Sequence, residues 1–137
     1  MPCRVDIGVA EKIYAVAQDL KIDSALGGTM GADDFYLGQG RLDGAFCDYK
    51  LEDKMAFLND LHDSYGIRNI EMEAHILSAF TYRARVKCSI VCVTLLNRLL
   101  GDQVTTPKEI LMCFEGRPLT VVSEFVKREC EERGLLK

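Results

Sequence analysis

Apolar and polar positions alternate along the chain in a way that predicts helices separated by short extended pieces. Over residues 8–20, Val9, Ile13, Val16, Ala17 and Leu20 fall on one helical face. Residues 24–30 are small and read as a short strand. Residues 31–47, rich in glycine and aspartate and without a sustained period, read as an extended loop carrying strand pieces. Met55, Leu58, Leu61 and Tyr65 share one side of a second helix over 51–65, which stops at Gly66, a natural left-handed cap. A brief extended piece over 68–72 leads into a third helix over 73–83, with Ile76, Leu77 and Phe80 as its expected inner face. The run over 87–96, containing Ile90, Val91, Val93 and Thr94, reads as the clearest strand, central and covered on both faces. Thr106, Pro107 and Glu109 fit an N-cap, a first-turn proline and a capping-box acid, so a fourth helix begins there. Pro118 predicts a kink or a restart near Arg117 before the helix continues toward Arg133.

Helices alternating with strands indicate an α/β fold, in which ligands sit beyond the carboxyl ends of the strands. Two segments meet that condition, the loop after Met30 and the Asn97–Arg98 pair after the expected central strand. With 137 residues and no repeat, low-complexity tract or linker, the chain is expected to form a single domain over 1–137.

Composition narrows the partners. The formal net charge is −4 and the basic residues are scattered singly among acids, so no cationic stripe offers itself to a nucleic acid backbone. The longest apolar run is too short to span a bilayer, and the first residues lack the pattern of a secretory signal. No membrane association and a cytoplasmic location are therefore expected. Six cysteines, none spaced as CxxC, and only two histidines read as thiols rather than a metal site, with Cys88 and Cys92 packed on one face of the expected strand.

Two constellations could carry chemistry. In Asp34-Phe35-Tyr36-Leu37-Gly38-Gln39-Gly40-Arg41, a carboxamide and a guanidinium stand among glycines and aromatics. Uracil presents an acceptor, a donor and an acceptor at O2, N3–H and O4. Gln39 can accept from N3–H and donate to O2, while Arg41 donates to O4. Cytosine would turn an amino group toward Arg41, at a cost of ~1–3 kcal/mol for each unsatisfied buried group. Taken alone, the same octapeptide also reads as a solvated turn. In Glu71-Met72-Glu73, a carboxylate able to accept twice suits the 2′ and 3′ hydroxyls of ribose, with Met72 against the sugar; taken alone, these acids equally read as helix caps.

The segments DFYLGQGRLDGA, GIRNIEMEA and VCVTLLNRL, in this order and spacing, resemble the carboxyl-terminal half of uridine phosphorylases of the nucleoside phosphorylase family, over residues 26–128. The resemblance implies a partial phosphorylase/hydrolase-like fold, a mixed β-sheet flanked by helices with its amino-terminal strands missing. It implies reversible phosphorolysis of uridine to uracil and ribose 1-phosphate, with phosphate as co-substrate, no cofactor and no metal. Gln39 and Arg41 would bind uracil, Met72 and Glu73 ribose; Phe35, Leu95 and Leu96 would line the base pocket, and Arg98 would support the uracil end indirectly. Arg41, Gln39 and Glu73 are thus the expected catalytic set. Leu37 and the Ala74–His75 pair depart from the family pattern beside these contacts, and His75 reads as surface or packing. The family's phosphate clamp, an arginine- and threonine-bearing glycine loop, does not precede Leu26. A homo-oligomer is expected, and the alternative is a non-catalytic fragment that binds nucleoside or associates with full-length subunits.

Overall fold

The computed structural model describes residues 4–136. Cys3 lies outside them, as do the first three residues of the segment weighed as a leader.

Four helices and two strands follow one another as α1 (Ile7–Asp19), β1 (Gly28–Gly31), α2 (Leu51–Tyr65), β2 (Ile67–Glu71), α3 (Ala74–Ala84) and α4 (Lys108–Glu132). The α/β class expected from the pattern is the one observed. Asp6 caps α1, its Oδ1 accepting the Val9 N–H at 3.0 Å. That bond stabilises the carboxylate and pulls the Asp6 pKa below its ordinary value. The second helix has the predicted bounds and ends at Gly66 with φ of 65°. Its amino end is tied by Asp53, whose carboxylate accepts the Lys50 N–H at 2.8 Å.

The two strands are parallel, pairing Thr29 with Asn69, Met30 with Ile70 and Gly31 with Glu71. Thr29 Oγ1 donates to Asn69 Oδ1 at 2.8 Å across the pair. Helix α3 packs against β1 and α2 against β2, while α1 packs against α4. This last contact holds the main apolar cluster: Ile13, Val16 and Ala17 of α1 meet Val121 of α4, flanked by Val9, Ile22 and Phe125. Two ion pairs join the same helices, Lys12 with Glu129 and Arg128 with Asp19 at 2.5 Å, and Arg128 is also held by Glu124 within α4 at 2.8 Å.

Several expectations are corrected. Residues 87–96 form no strand; the first described backbone bond they make is from Asp6 N–H to the Cys88 carbonyl, 2.7 Å long. A β-branched run becomes a strand only where a neighbour supplies a ladder, and among the described residues the sheet has only two members, β1 and β2. Cys88 is accordingly half-buried and Cys92 exposed, rather than packed on a strand face; the described cysteines are free thiols. The third helix turns its small residues inward. Ala74 and Ser78, one turn apart, are buried, while Ile76, Leu77 and Phe80 are exposed. Small side chains let the helix lie close to β1, and the bulky face is left outward. Helix α4 is capped by Pro107 in an extended conformation rather than by Thr106, and it shows no restart near Arg117. Pro118 removes one N–H from the ladder, a loss a 25-residue helix carries without ending.

Val121 is 4% exposed and holds the α1–α4 contact from the α4 side. Val121→Ala is expected to lower the unfolding free energy by about 2 kcal/mol in urea titration, through lost burial and the cavity left behind. Val126→Ala on the same helix, half exposed, is expected to change it by less than about 0.5 kcal/mol.

Candidate functional site

The loop after β1 turns back on itself through its own side chains. The Asp34 carboxylate accepts the N–H groups of Tyr36 and Gly38, both at 2.7 Å, and a single 3-10 turn follows over Leu37–Gln39. Gly40 then takes φ of 62°, a left-handed value that a side chain disfavours, and a Cβ there would meet the Phe57 ring at 3.0 Å. This reversal turns both neighbours of Gly40 inward. Gln39 is 7% and Arg41 6% exposed, so the solvated-turn reading does not describe them.

Buried polar groups require partners, and these two have them in quantity. Arg41 grips Asp43 with Nε at 2.8 Å and Nη2 at 2.7 Å, and Nη2 also donates to the Asp102 carbonyl at 2.6 Å. The Arg41 Nη1 makes no recorded hydrogen bond to the described residues. Phe35 lies against the guanidinium face, 4.3 Å from Cζ to ring centroid, and half of Phe35 is exposed. Arg98 stands behind Gln39: its Nη2 donates to the Gln39 backbone carbonyl at 2.8 Å, its Nη1 to the Gln39 Oε1 at 3.4 Å, and its Nε to Asp102 Oδ1 at 3.0 Å. Asp102 Oδ1 also takes Lys54 Nζ at 2.7 Å, and Oδ2 takes the Leu42 N–H at 3.0 Å. Burial alone would raise the Asp102 pKa. The hydrogen bonds from Lys54 and Leu42 and the charges of Arg98 and Lys54 outweigh it and hold the carboxyl below its ordinary value. The Asp43 carboxyl is lowered as well, by its hydrogen bonds from Arg41.

The second constellation lies at the carboxyl end of β2. Glu71 Oε2 accepts the N–H groups of Glu73 and Ala74, each at 2.7 Å, and so caps α3. Helix capping is therefore performed by Glu71. The Glu73 side chain is exposed and accepts only the Met72 N–H, at 3.3 Å. The second oxygen of Glu71, Oε1, is buried without a hydrogen-bonding partner among the described residues. Met72 is half-buried beside it.

The sheet brings the two constellations to one edge. Gly31 and Glu71 are register partners at the last rung of the parallel pair, and the loop that carries Gln39 and Arg41 and the α3 cap leave from there together. Gly31 permits a close approach: a Cβ on it would sit 2.4 Å from His75 Nδ1 in the first turn of α3. His75 packs there, with its Nε2 3.6 Å from Asp33 Oδ1. No recorded hydrogen bond joins Gln39 or Arg41 to Glu73. Leu95 and Leu96 are half-buried in the extended run that delivers Arg98. One open cleft borders this loop, lined by Tyr36, Leu37, Asp43 and Phe46 among others, and another lies apart from it, lined by Arg4, Asp6, Arg83, Arg85 and Lys87 among others.

Asp102, Asp43 and Lys54 escape the sequence reading although Asp43 and Asp102 hold Arg41 in place and Lys54 holds Asp102. The i,i+4 spacing of Arg98 and Asp102 is a legible signal. Lys54 stands one turn before the buried Leu58, on the packed side of α2, and is only 3% exposed. No described helix is long and apolar enough to cross a membrane, and no described group of three histidine, cysteine or acidic side chains is placed to hold a metal ion.

No protein-family model matches the chain. A uridine and thymidine phosphorylase of Caenorhabditis elegans is 47% identical over 128 residues, which cover 93% of this chain and 43% of that protein. A uridine phosphorylase structure from the oomycete Phytophthora capsici superposes with a TM-score of 0.84 at 46% identity, covering 93% of this chain and 43% of the other. The uridine phosphorylase of Schistosoma mansoni in complex with uracil superposes with a TM-score of 0.86 at 36% identity, covering 93% and 44%. The chain is thus related in sequence and fold to the nucleoside phosphorylases. Within them, its relatives are the uridine phosphorylases, and it spans less than half the length of those it matches.

A carboxyl whose pKa is depressed by folding adds stability above its unfolded value, and that stability is lost as the pH falls through the folded value. Urea titrations of the wild-type chain are therefore expected to show stability declining below about pH 4. In Asp102→Asn this acid-dependent loss should be smaller, on top of a lower stability at neutral pH; an unchanged acid limb would remove Asp102 as its source.

Proposed function

We propose that the chain forms the base- and sugar-binding part of a uridine phosphorylase-type site, acting in reversible phosphorolysis of uridine to uracil and ribose 1-phosphate. The observation that carries this reading is the burial of Gln39 and Arg41 side by side with their inner atoms already satisfied. Arg41 Nη1 and the Gln39 amide nitrogen are left over for a ligand, next to a carboxamide oxygen that can still accept. These are the donors and the acceptor that the O4, O2 and N3–H of uracil require.

As the glycosidic bond breaks, negative charge spreads onto the uracil oxygens. Arg41 and Gln39 would bind that anion more strongly than the neutral base, which is catalysis by leaving-group stabilisation. Glu73, freed from capping by Glu71, would hold the ribose hydroxyls, and the buried Glu71 Oε1 offers a second acceptor beside it. Met72 would pack on the sugar, Leu95 and Leu96 would wall the base, and Phe35 would close over Arg41. Phosphate would attack the anomeric carbon from the opposite face, a positioning task for Glu73 rather than acid–base work. The cations that bind phosphate would come from a part of the enzyme outside this segment, or from a neighbouring subunit in a homo-oligomer.

A second reading, nucleoside binding without turnover, is favoured by the coverage of less than half of the relatives' length. Release of uracil from uridine by this chain, measured with and without phosphate, separates the two: phosphate-dependent release supports the enzyme, binding without release supports the second reading.

Gln39→Leu is expected to weaken uracil and uridine binding alike by ~1–3 kcal/mol in calorimetric titration. Glu73→Ala should weaken uridine while leaving free uracil near its wild-type affinity, and equal loss for both would argue against a sugar-holding role. Bulky apolar residues such as Phe80 and Leu119 are exposed at 70% and 72%, so the chain is expected to self-associate in sedimentation velocity with rising concentration. A monomer at every concentration would contradict the homo-oligomer.

A further inference from the structure

We infer that Asp102 is a positioning and specificity-determining residue, which through Arg98 sets the direction in which the Gln39 carboxamide faces the base. The inference rests on the reading that Gln39 and Arg41 meet a pyrimidine.

One residue touches Arg41 directly and Gln39 through a single intermediary, Arg98. The Asp102 carbonyl accepts from Arg41, its Oδ2 from the Leu42 N–H, and its Oδ1 from Arg98 Nε and Lys54 Nζ. Arg98, oriented by that carboxylate, directs its two other nitrogens at the backbone and side-chain oxygens of Gln39. A carboxamide turned by 180° would exchange its oxygen for an NH2 group and set donor against donor at Arg98. The cation therefore fixes which end of Gln39 accepts.

That choice has a direct consequence for the base. With the oxygen fixed, Gln39 can accept from the N3–H of uracil. Cytosine carries an unprotonated N3 beside the O2 acceptor, so it meets one match and one mismatch at Gln39 whichever way the carboxamide faces. Uracil meets two matches only in the fixed orientation, and freeing Gln39 therefore costs uracil more than cytosine. Arg41 opposes cytosine separately, at the exocyclic amino group. Asparagine at 102 would present an NH2 group either to Arg98 and Lys54 or to the Leu42 N–H, and one of these bonds must break. Loosening Arg98 then releases Gln39, while the Arg41–Asp43 pair stays in place.

The test titrates uracil and cytosine calorimetrically into the full chain and its Asp102→Asn and Arg98→Lys variants, with circular dichroism melts alongside. The wild-type chain is expected to prefer uracil. Asp102→Asn should lose at least tenfold in uracil affinity and narrow the uracil-to-cytosine ratio. Arg98→Lys keeps a charge for Asp102 but cannot hold that carboxylate and both Gln39 oxygens at once, so it should narrow the ratio too. If Asp102→Asn does not fold, Arg98→Lys decides. A wild-type ratio in folded Asp102→Asn, or in Arg98→Lys, overturns the inference while leaving the base site standing. Failure of the wild-type chain to bind uracil overturns the base-site reading and this inference with it.

Discussion

A charge removed from water must be matched in place, because an unpaired ion in a protein interior costs several kcal/mol and a matched one gives little net gain. Arg41, at 6% exposure, and Lys54, at 3%, impose that requirement here. It is met by Asp43 and Asp102, which come from two different loops. Asp102 and Gln103 reach back to Arg41, Leu42 and Asp43, so the segment after Arg98 is clamped onto the segment after Gln39. Neither segment belongs to a helix or strand at these points. Their mutual position is set by polar pairing, which specifies geometry more sharply than apolar contact does because each bond has a direction.

Apolar packing in this chain plays a smaller part. The buried cluster of α1 and α4 is compact, no described side chain is less than 2% exposed, and much of the bulky apolar surface faces outward. The sheet contributes by geometry instead. Two parallel strands end on the same rung, and the loops that leave Gly31 and Glu71 carry Gln39 with Arg41 and the carboxylates of Glu71 and Glu73. Their closeness depends on Gly31, since any larger residue would push the first turn of α3 away from the strand.

What the sequence made legible follows from the range of the forces involved. Helix α2 was readable to its last residue because its apolar period and Gly66 are local signals. The inward turn of Gln39 and Arg41 was implied only by resemblance; the octapeptide alone favoured a solvated turn. Two expectations failed for one reason. Residues 87–96 and the bulky face of α3 have the composition of buried elements, yet full burial needs a neighbour, and among the described residues the run is only partly covered while the bulky face of α3 stays exposed. A pattern records what a segment is suited to contact and cannot say whether the contact is made. Lys54 failed oppositely: its burial depends on Asp102, which lies 48 positions away, a pairing that no local period reveals.

The charges of the network also bear on how such a site would work. Lys54, Arg41 and Arg98 supply three positive charges against the two of Asp43 and Asp102, leaving one in excess. Full neutralisation would make the site indifferent to the charge of its ligand, whereas a large excess would hold an anionic product too firmly for release. Asp43 pairs with Arg41, whereas the Asp102 carboxylate is shared by Lys54 and Arg98, so the excess lies behind Gln39 rather than at Arg41. Under the proposed reading it has the sign that would favour the negative charge a departing uracil carries. The carboxylates then set how much of the cations' charge reaches the base, as well as where the guanidinium points. Leaving-group stabilisation of this kind acts on the base alone and needs no contact with the nucleophile, so the two tasks can be assigned to separate parts of one enzyme. Under the proposed reading, a segment spanning less than half the length of its relatives could therefore hold the groups that meet the base without those that would meet phosphate.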